Sequence, residues 1–137
     1  MIRVTVYNEF LHEKTDDNVK AIYPEGIHNA LKEHLTDDEI TVKTVTLDNV
    51  GDITDGARQY RCSYLVGHMA HDKVPDEVAK RVQNAVLSGM GAVFLHSAHH
   101  SKPFKLLMGT PCSLGWREDG DRGMFGSATL SPDSRGY

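Results

Sequence analysis

A-V-F-L (Ala92–Leu95), followed at once by H-S-A-H-H (His96–His100), decides the reading of this chain. Four apolar residues without polar alternation are the pattern of a short parallel strand covered on both faces. The histidine-rich segment then begins where such a strand must end. The same succession recurs. Ile2–Tyr7, with Ile2, Val4 and Val6 alternating, reads as a central strand and runs into N-E-F-L-H-E (Asn8–Glu13). G-H-M-A-H-D (Gly67–Asp72) requires a third strand immediately before it. Together the three segments hold six of the eight histidines. In an open α/β sheet the ends of parallel strands meet at one edge, where these folds build ligand sites. The three segments are therefore expected to line one pocket of imidazoles and carboxylates.

The remaining pattern alternates strands with helices, which gives an α/β domain with a mainly parallel sheet. A polar loop is expected after the first strand, through Asp17. Pro24 then occupies a first helical position, with Ile27, Ala30, Leu31 and Leu35 as the apolar stripe behind it. Ile40–Leu47 is β-branched and alternating, a second strand. A helix beginning near Pro75 buries Val78, Val82, Ala85 and Val86 and is capped at Gly89, and a shorter one spans Pro103–Met108 and ends at Gly109. Asp55–Val66 fits poorly as the third strand, because Arg58 and Arg61 would be costly in a buried sheet. Gly120–Tyr137, rich in Gly, Ser, Asp and Pro, reads as irregular.

At 137 residues and a net charge of −4, the chain forms one domain, with no basic stripe to meet a nucleic acid. Its apolar runs are too short for a membrane span, and M-I-R-V-T-V-Y reads as a strand rather than a signal peptide. Two cysteines, Cys62 and Cys112, without a pairing pattern fit a reducing compartment, so a cytoplasmic location is expected.

The stretches V-T-V-Y-N-E-F-L-H-E-K, A-I-Y-P-E-G-I-H, G-H-M-A-H-D and L-H-S-A-H-H-S-K-P-F-K-L-L-M-G-T-P-C-S-L-G-W-R-E resemble the trehalose-utilisation, ThuA-like family over residues 1–118, apart from 56–66. The resemblance implies a flavodoxin-like, doubly wound sheet of the class I glutamine amidotransferase superfamily, and a role in carbohydrate, notably disaccharide, metabolism. Relatives carry an apolar strand where this chain has Gly56–Val66, and they continue beyond residue 137. One back-translation of Gly56–Val66, read one nucleotide out of frame, yields such a strand, and Met124–Thr129 can be treated alike. The chain is thus expected to be a frameshifted, shortened reading of a longer gene: a partial ThuA-like domain over 1–118, incomplete at the C-terminus, and an irregular tail over 119–137.

A glutaminase of this superfamily would need a cysteine nucleophile after the fourth strand. This chain has His96, Ser97, Ala98 and His99 there, which argues against glutamine amidotransfer. His68 and His71, three residues apart with Asp72 adjacent, suit a divalent metal, zinc first, together with His96 and His99. Alternatively, the histidines act as general acids and bases without metal. Glu9 is a candidate base or ligand, and Ser97 a candidate hydroxyl nucleophile. Asn8, His12, Asp72 and Lys102 are candidate contacts to a small-molecule carbohydrate. Lys105 is a weaker candidate, and His100 is expected to face solvent. Cys112 is expected to be a small buried packing residue. No nucleotide cofactor, nucleic acid or membrane partner is expected, whereas exposed sheet edges favour a homo-oligomer. Two functions stay open. One is a hydrolase, isomerase or lyase acting on a sugar derivative. The other is a non-catalytic sugar- or metal-binding module, or an inactive remnant.

Overall fold

A computed structural model describes residues 1–54, 62–66 and 73–112, with the backbone alone for 62–66, Thr54 and Ser97. Its centre is a parallel sheet of β1 (Ile2–Asn8), β2 (Ile40–Thr46), β3 (Cys62–Val66) and β4 (Gly91–Phe94) in the order β2-β1-β3-β4. Five helices accompany it: α1 (His12–Thr15), α2 (Asp17–Ile22), α3 (Ile27–Leu35), α4 (Asp76–Leu87) and α5 (Lys102–Met108). The α/β class expected from the alternation is present.

β1 is an inner strand, and its apolar residues serve both faces. Val4 and Val6 join Val42 in one core cluster, covered by Ile27, Leu31 and Leu35 of α3. Tyr7, pleated to the other side, joins Val45, Ile53, Val74, Val78, Val82 and Ala98 in a second cluster. Register runs from Ile2 opposite Ile40 to Asn8 opposite Thr46, and from Val4 opposite Cys62 to Asn8 opposite Val66.

The third strand stands where the topology required it. It is described over Cys62–Val66. β4 begins one residue earlier than its apolar run, since Gly91 pairs with Cys62 through backbone alone. Its residues Ala92, Val93 and Phe94 are half-buried rather than fully covered, as befits the outer strand of the described sheet.

Three expectations are corrected. The polar stretch through Asp17 is not all loop. α1 and α2 form there, because the Asp16 side chain accepts hydrogen bonds from the Asn18 and Val19 amides at 2.9 and 3.4 Å and so caps α2. Pro24 does not open α3. It lies inside a turn closed by Gly26 N–H donating to the Tyr23 carbonyl at 2.9 Å, and α3 starts at Ile27. On α4, Val78, Ala79 and Val82 are buried, whereas Ala85 and Val86 are only half-buried. Gly89 at φ 103 follows the Ser88 cap, and Gly109 at φ 67 ends α5, both in the left-handed region that favours glycine. Arg58, Arg61, the 67–72 segment and the tail over 119–137 lie outside the described residues, as does the domain boundary at 118.

Candidate functional site at the carboxyl edge of the sheet

All four strands point the same way, so Asn8, Val66 and Phe94 end at one edge on three adjacent strands. From β1 the chain adds β2 on one side and then β3 on the other. Such a reversal of direction opens a crevice beside the inner strand.

At the end of β1, three polar side chains close on one another. Asn8, Glu13 and His28 are only 5%, 6% and 5% exposed. Asn8 Nδ2 donates to Glu13 Oε1 at 2.7 Å and lies 3.2 Å from His28 Nδ1. The same Glu13 oxygen accepts the Ile27 amide at 3.3 Å. That bond stands in for a side-chain cap that Gly26, the residue before α3, cannot supply. Burial pushes the Glu13 carboxyl up. The hydrogen bonds from its own amide, Asn8 and Ile27, with the His28 charge, outweigh burial and hold it below the usual carboxylate value. Burial likewise lowers His28, only partly offset by the Glu13 charge, so its imidazole is neutral at pH 7. A neutral ring can accept from Asn8 on Nδ1, which leaves the proton on Nε2.

Local backbone geometry makes this trio. Phe10 takes φ 55, unfavourable for a bulky residue, and turns the chain back after β1. Its ring meets the His28 ring edge-on at 5.0 Å. Gly26 is buried at φ 84, and a Cβ there would collide with the His28 ring and with Phe10. This turn decides which residues of N-E-F-L-H-E go inward. Asn8 and Glu13 do, whereas the expected contact His12 is exposed and Glu9 is half-buried. Glu9 acts by its charge on the phenol of Tyr7, which burial and that charge together hold in the neutral form. The Tyr7 hydroxyl is buried without a hydrogen-bond partner among the described residues.

At the end of β4, His96–His100 form a short 3-10 turn. Ala98, fully buried in the cluster with Tyr7, anchors it. His96 is exposed; His99 and His100 are half-buried. The His96 and His99 rings are 5.7 Å apart and those of His99 and His100 4.1 Å, so His100 packs against a ring instead of simply facing solvent. His99 Nδ1 contacts the His96 carbonyl, which can only accept. In a neutral ring that bond would leave the lone pair on Nε2, the arrangement usual for a metal-ligating histidine. No group of three metal-binding side chains forms among the described residues. His68, His71 and Asp72 lie outside them, and of Ser97 only the backbone is described.

Lys102, a candidate sugar contact, is engaged within the fold. Its Nζ donates to the Val74 carbonyl at 2.7 Å and to Asp76 Oδ1 at 2.6 Å, tying the start of α5 to the start of α4. The Asp76 carboxyl is lowered by this bond and by the Lys102 charge. A groove of about 290 Å³ runs between the two helices past Lys80, Lys105 and Leu106. Cys112 is half-buried at φ 52, with its Sγ 3.2 Å from Thr110 Oγ1, and is not a core residue.

No protein-family model matches this chain, and no curated protein is significantly similar to it. The family resemblance therefore rests on the quoted motifs themselves. Glu13 and His28 are the site residues that the sequence reading missed. One signal for His28 existed: it precedes Leu31 by three positions and Leu35 by seven, which puts it on the buried stripe of α3.

Proposed function

We propose that this chain is a ThuA-like domain of the flavodoxin type that takes a carbohydrate-derived small molecule, of the trehalose kind, at the carboxyl edge of its sheet. The order β2-β1-β3-β4 supports the doubly wound reading, because it matches the first four strands of the 2-1-3-4-5 arrangement. The observation that carries the site is that Asn8 and the His96–His100 turn leave the same edge on strands flanking β3. Gly67–Asp72 continue the chain directly from the end of β3.

In this reading His68, His71, His96 and His99 hold a divalent metal, zinc first, or move protons themselves. Glu9 acts as base or ligand, and His12 and Asp72 bind or orient the sugar, whereas the buried Asn8 holds Glu13 and His28 instead. A bound ion would polarise a sugar hydroxyl or carbonyl, which suits a hydrolase, an isomerase or a lyase. The tautomer that His99 takes when neutral supports the metal version.

Native mass spectrometry of the full chain titrated with zinc, with His68→Ala and His96→Ala beside it, tests the reading. One zinc per chain, lost in both variants, is expected and would join the two segments in one site. A folded chain without an adduct would remove the metal and leave the proton-transfer version. Calorimetric titration with trehalose, followed by an assay for its turnover, separates the remaining functions. Binding without turnover would make this a carbohydrate-binding module.

A further inference from the structure

We propose that Asn8, Glu13 and His28 form a proton-sensitive latch that fastens residues 10–26 over the carboxyl end of β1 and releases them when His28 takes up a proton. Apart from the packing of Phe10 and Gly26 on His28, few contacts hold this excursion down among the described residues. α2 buries no residue, and Glu13 is the one buried residue of α1. A single carboxylate oxygen therefore ties α1 to β1 through Asn8 and to α3 through the Ile27 amide. Among the described residues a further fastening, Lys14 to Asp48 at 3.1 Å, is an exposed ion pair of little strength.

The trio closes only with a neutral His28. The Asn8 amide has two N–H groups, one for Glu13 and one for His28 Nδ1. A protonated ring has no acceptor, so an Asn8 N–H would face an imidazolium N–H. Flipping the amide presents Oδ1 to His28 but sets it against the Glu13 carboxylate. Either way one contact is lost inside a buried site, where an unmet polar group is costly. The charged group acting on His28 is Glu13 of α1. Its partners from β1 and the turn, Asn8, Phe10 and Gly26, are uncharged. Lys14 sits over the Phe10 ring at 4.9 Å, with its charge met by Asp48. Release would uncover the crevice beside β1, so acid would alter access to this edge whatever ligand it takes.

Nuclear magnetic resonance of the full chain between pH 7.5 and 5 tests the latch directly. The His28 ring is expected to stay neutral, with Nδ1 as acceptor, as the pH falls through the ordinary histidine value of about 6.5. Through the His28 titration the Ile27 amide and the amides of residues 10–26 should lose at least tenfold in exchange protection together, while Val4, Val6 and Val42 keep theirs. His28→Gln should abolish this response. Glu13→Gln keeps an acceptor oxygen but removes the charge that favours protonation, and should move the release to lower pH. Unchanged protection of residues 10–26 through the His28 titration, or an undiminished response in His28→Gln, would overturn the proposal.

Discussion

One oxygen of Glu13 replaces the cap that Gly26 cannot give and satisfies Asn8 at the same time. Glu13→Ala removes both bonds and strands one buried and one half-buried donor, so a loss of about 1–3 kcal/mol is expected in urea denaturation at pH 7.5. Glu13→Gln should lose less, because an uncharged acceptor remains. Tyr7 is the opposite case. Its hydroxyl is buried without a partner among the described residues, so Tyr7→Phe should be neutral or stabilising in the same assay. A loss of more than about 1 kcal/mol would mean that the hydroxyl is satisfied after all. The pH dependence follows from two lowered groups. Folding lowers His28 below 6.5 and Glu13 below 4.5, so the unfolded chain binds more protons in both ranges. Stability is therefore expected to fall as the pH drops below about 6.5, through His28 first, and again as Glu13 is protonated through its lowered value. His28→Gln should flatten the first part of that profile while leaving the second.

Elements were legible in the sequence where a period or a stop residue marked them, and obscure where a single backbone angle decided. β1, β2 and α3–α5 follow from alternation, from helical stripes and from Gly89 and Gly109. β3 followed from topology alone, since Cys62–Val66 has little apolar signature. α1 and α2 were hidden because D-D-N looks like loop composition, although Asp16 is cap chemistry. At the site, the carboxyl edge and Asn8 were legible. That Glu13 turns inward while His12 stays exposed was not, because the positive φ of Phe10 sets which face of α1 turns inward. Two substitutions probe these hinges. Ser101 accepts the Phe104 amide at 3.3 Å and caps α5, so Ser101→Ala should cost about 1 kcal/mol in the denaturation midpoint. Gly26→Ala is expected to cost more, about 2 kcal/mol or above, because it adds backbone strain to a collision with His28 and Phe10. If Gly26→Ala proved harmless, the tight approach of α3 to the Phe10 turn would be wrong.

At the scale of the whole molecule, β1 and its neighbour β2 make the two faces one cooperative unit, since each gives a residue to both clusters. Val6 belongs to the cluster under α3, while Tyr7, the next residue, belongs to the cluster under α4. Loosening either cluster must disturb the strands that the other packs on. Val6→Ala and Val82→Ala each remove two methyl groups from sites that are 0% and 1% exposed. Each should therefore cost about 2 kcal/mol from lost burial and the space left behind. The more telling result is the shape of the transition. Far-ultraviolet circular dichroism, which follows the helices, and the Tyr7 ring resonances in nuclear magnetic resonance, which follow the core, should give coincident urea midpoints in the parent and in both variants. Val82→Ala lies on a helix that is reached only after the chain has left β1, β2 and α3, so it could in principle loosen α4 alone. Were its helix signal to fall before its tyrosine signal, the second cluster would be a separate folding unit. Coincidence in both variants would instead assign the cooperativity to the two strands, β1 and β2, that the clusters share.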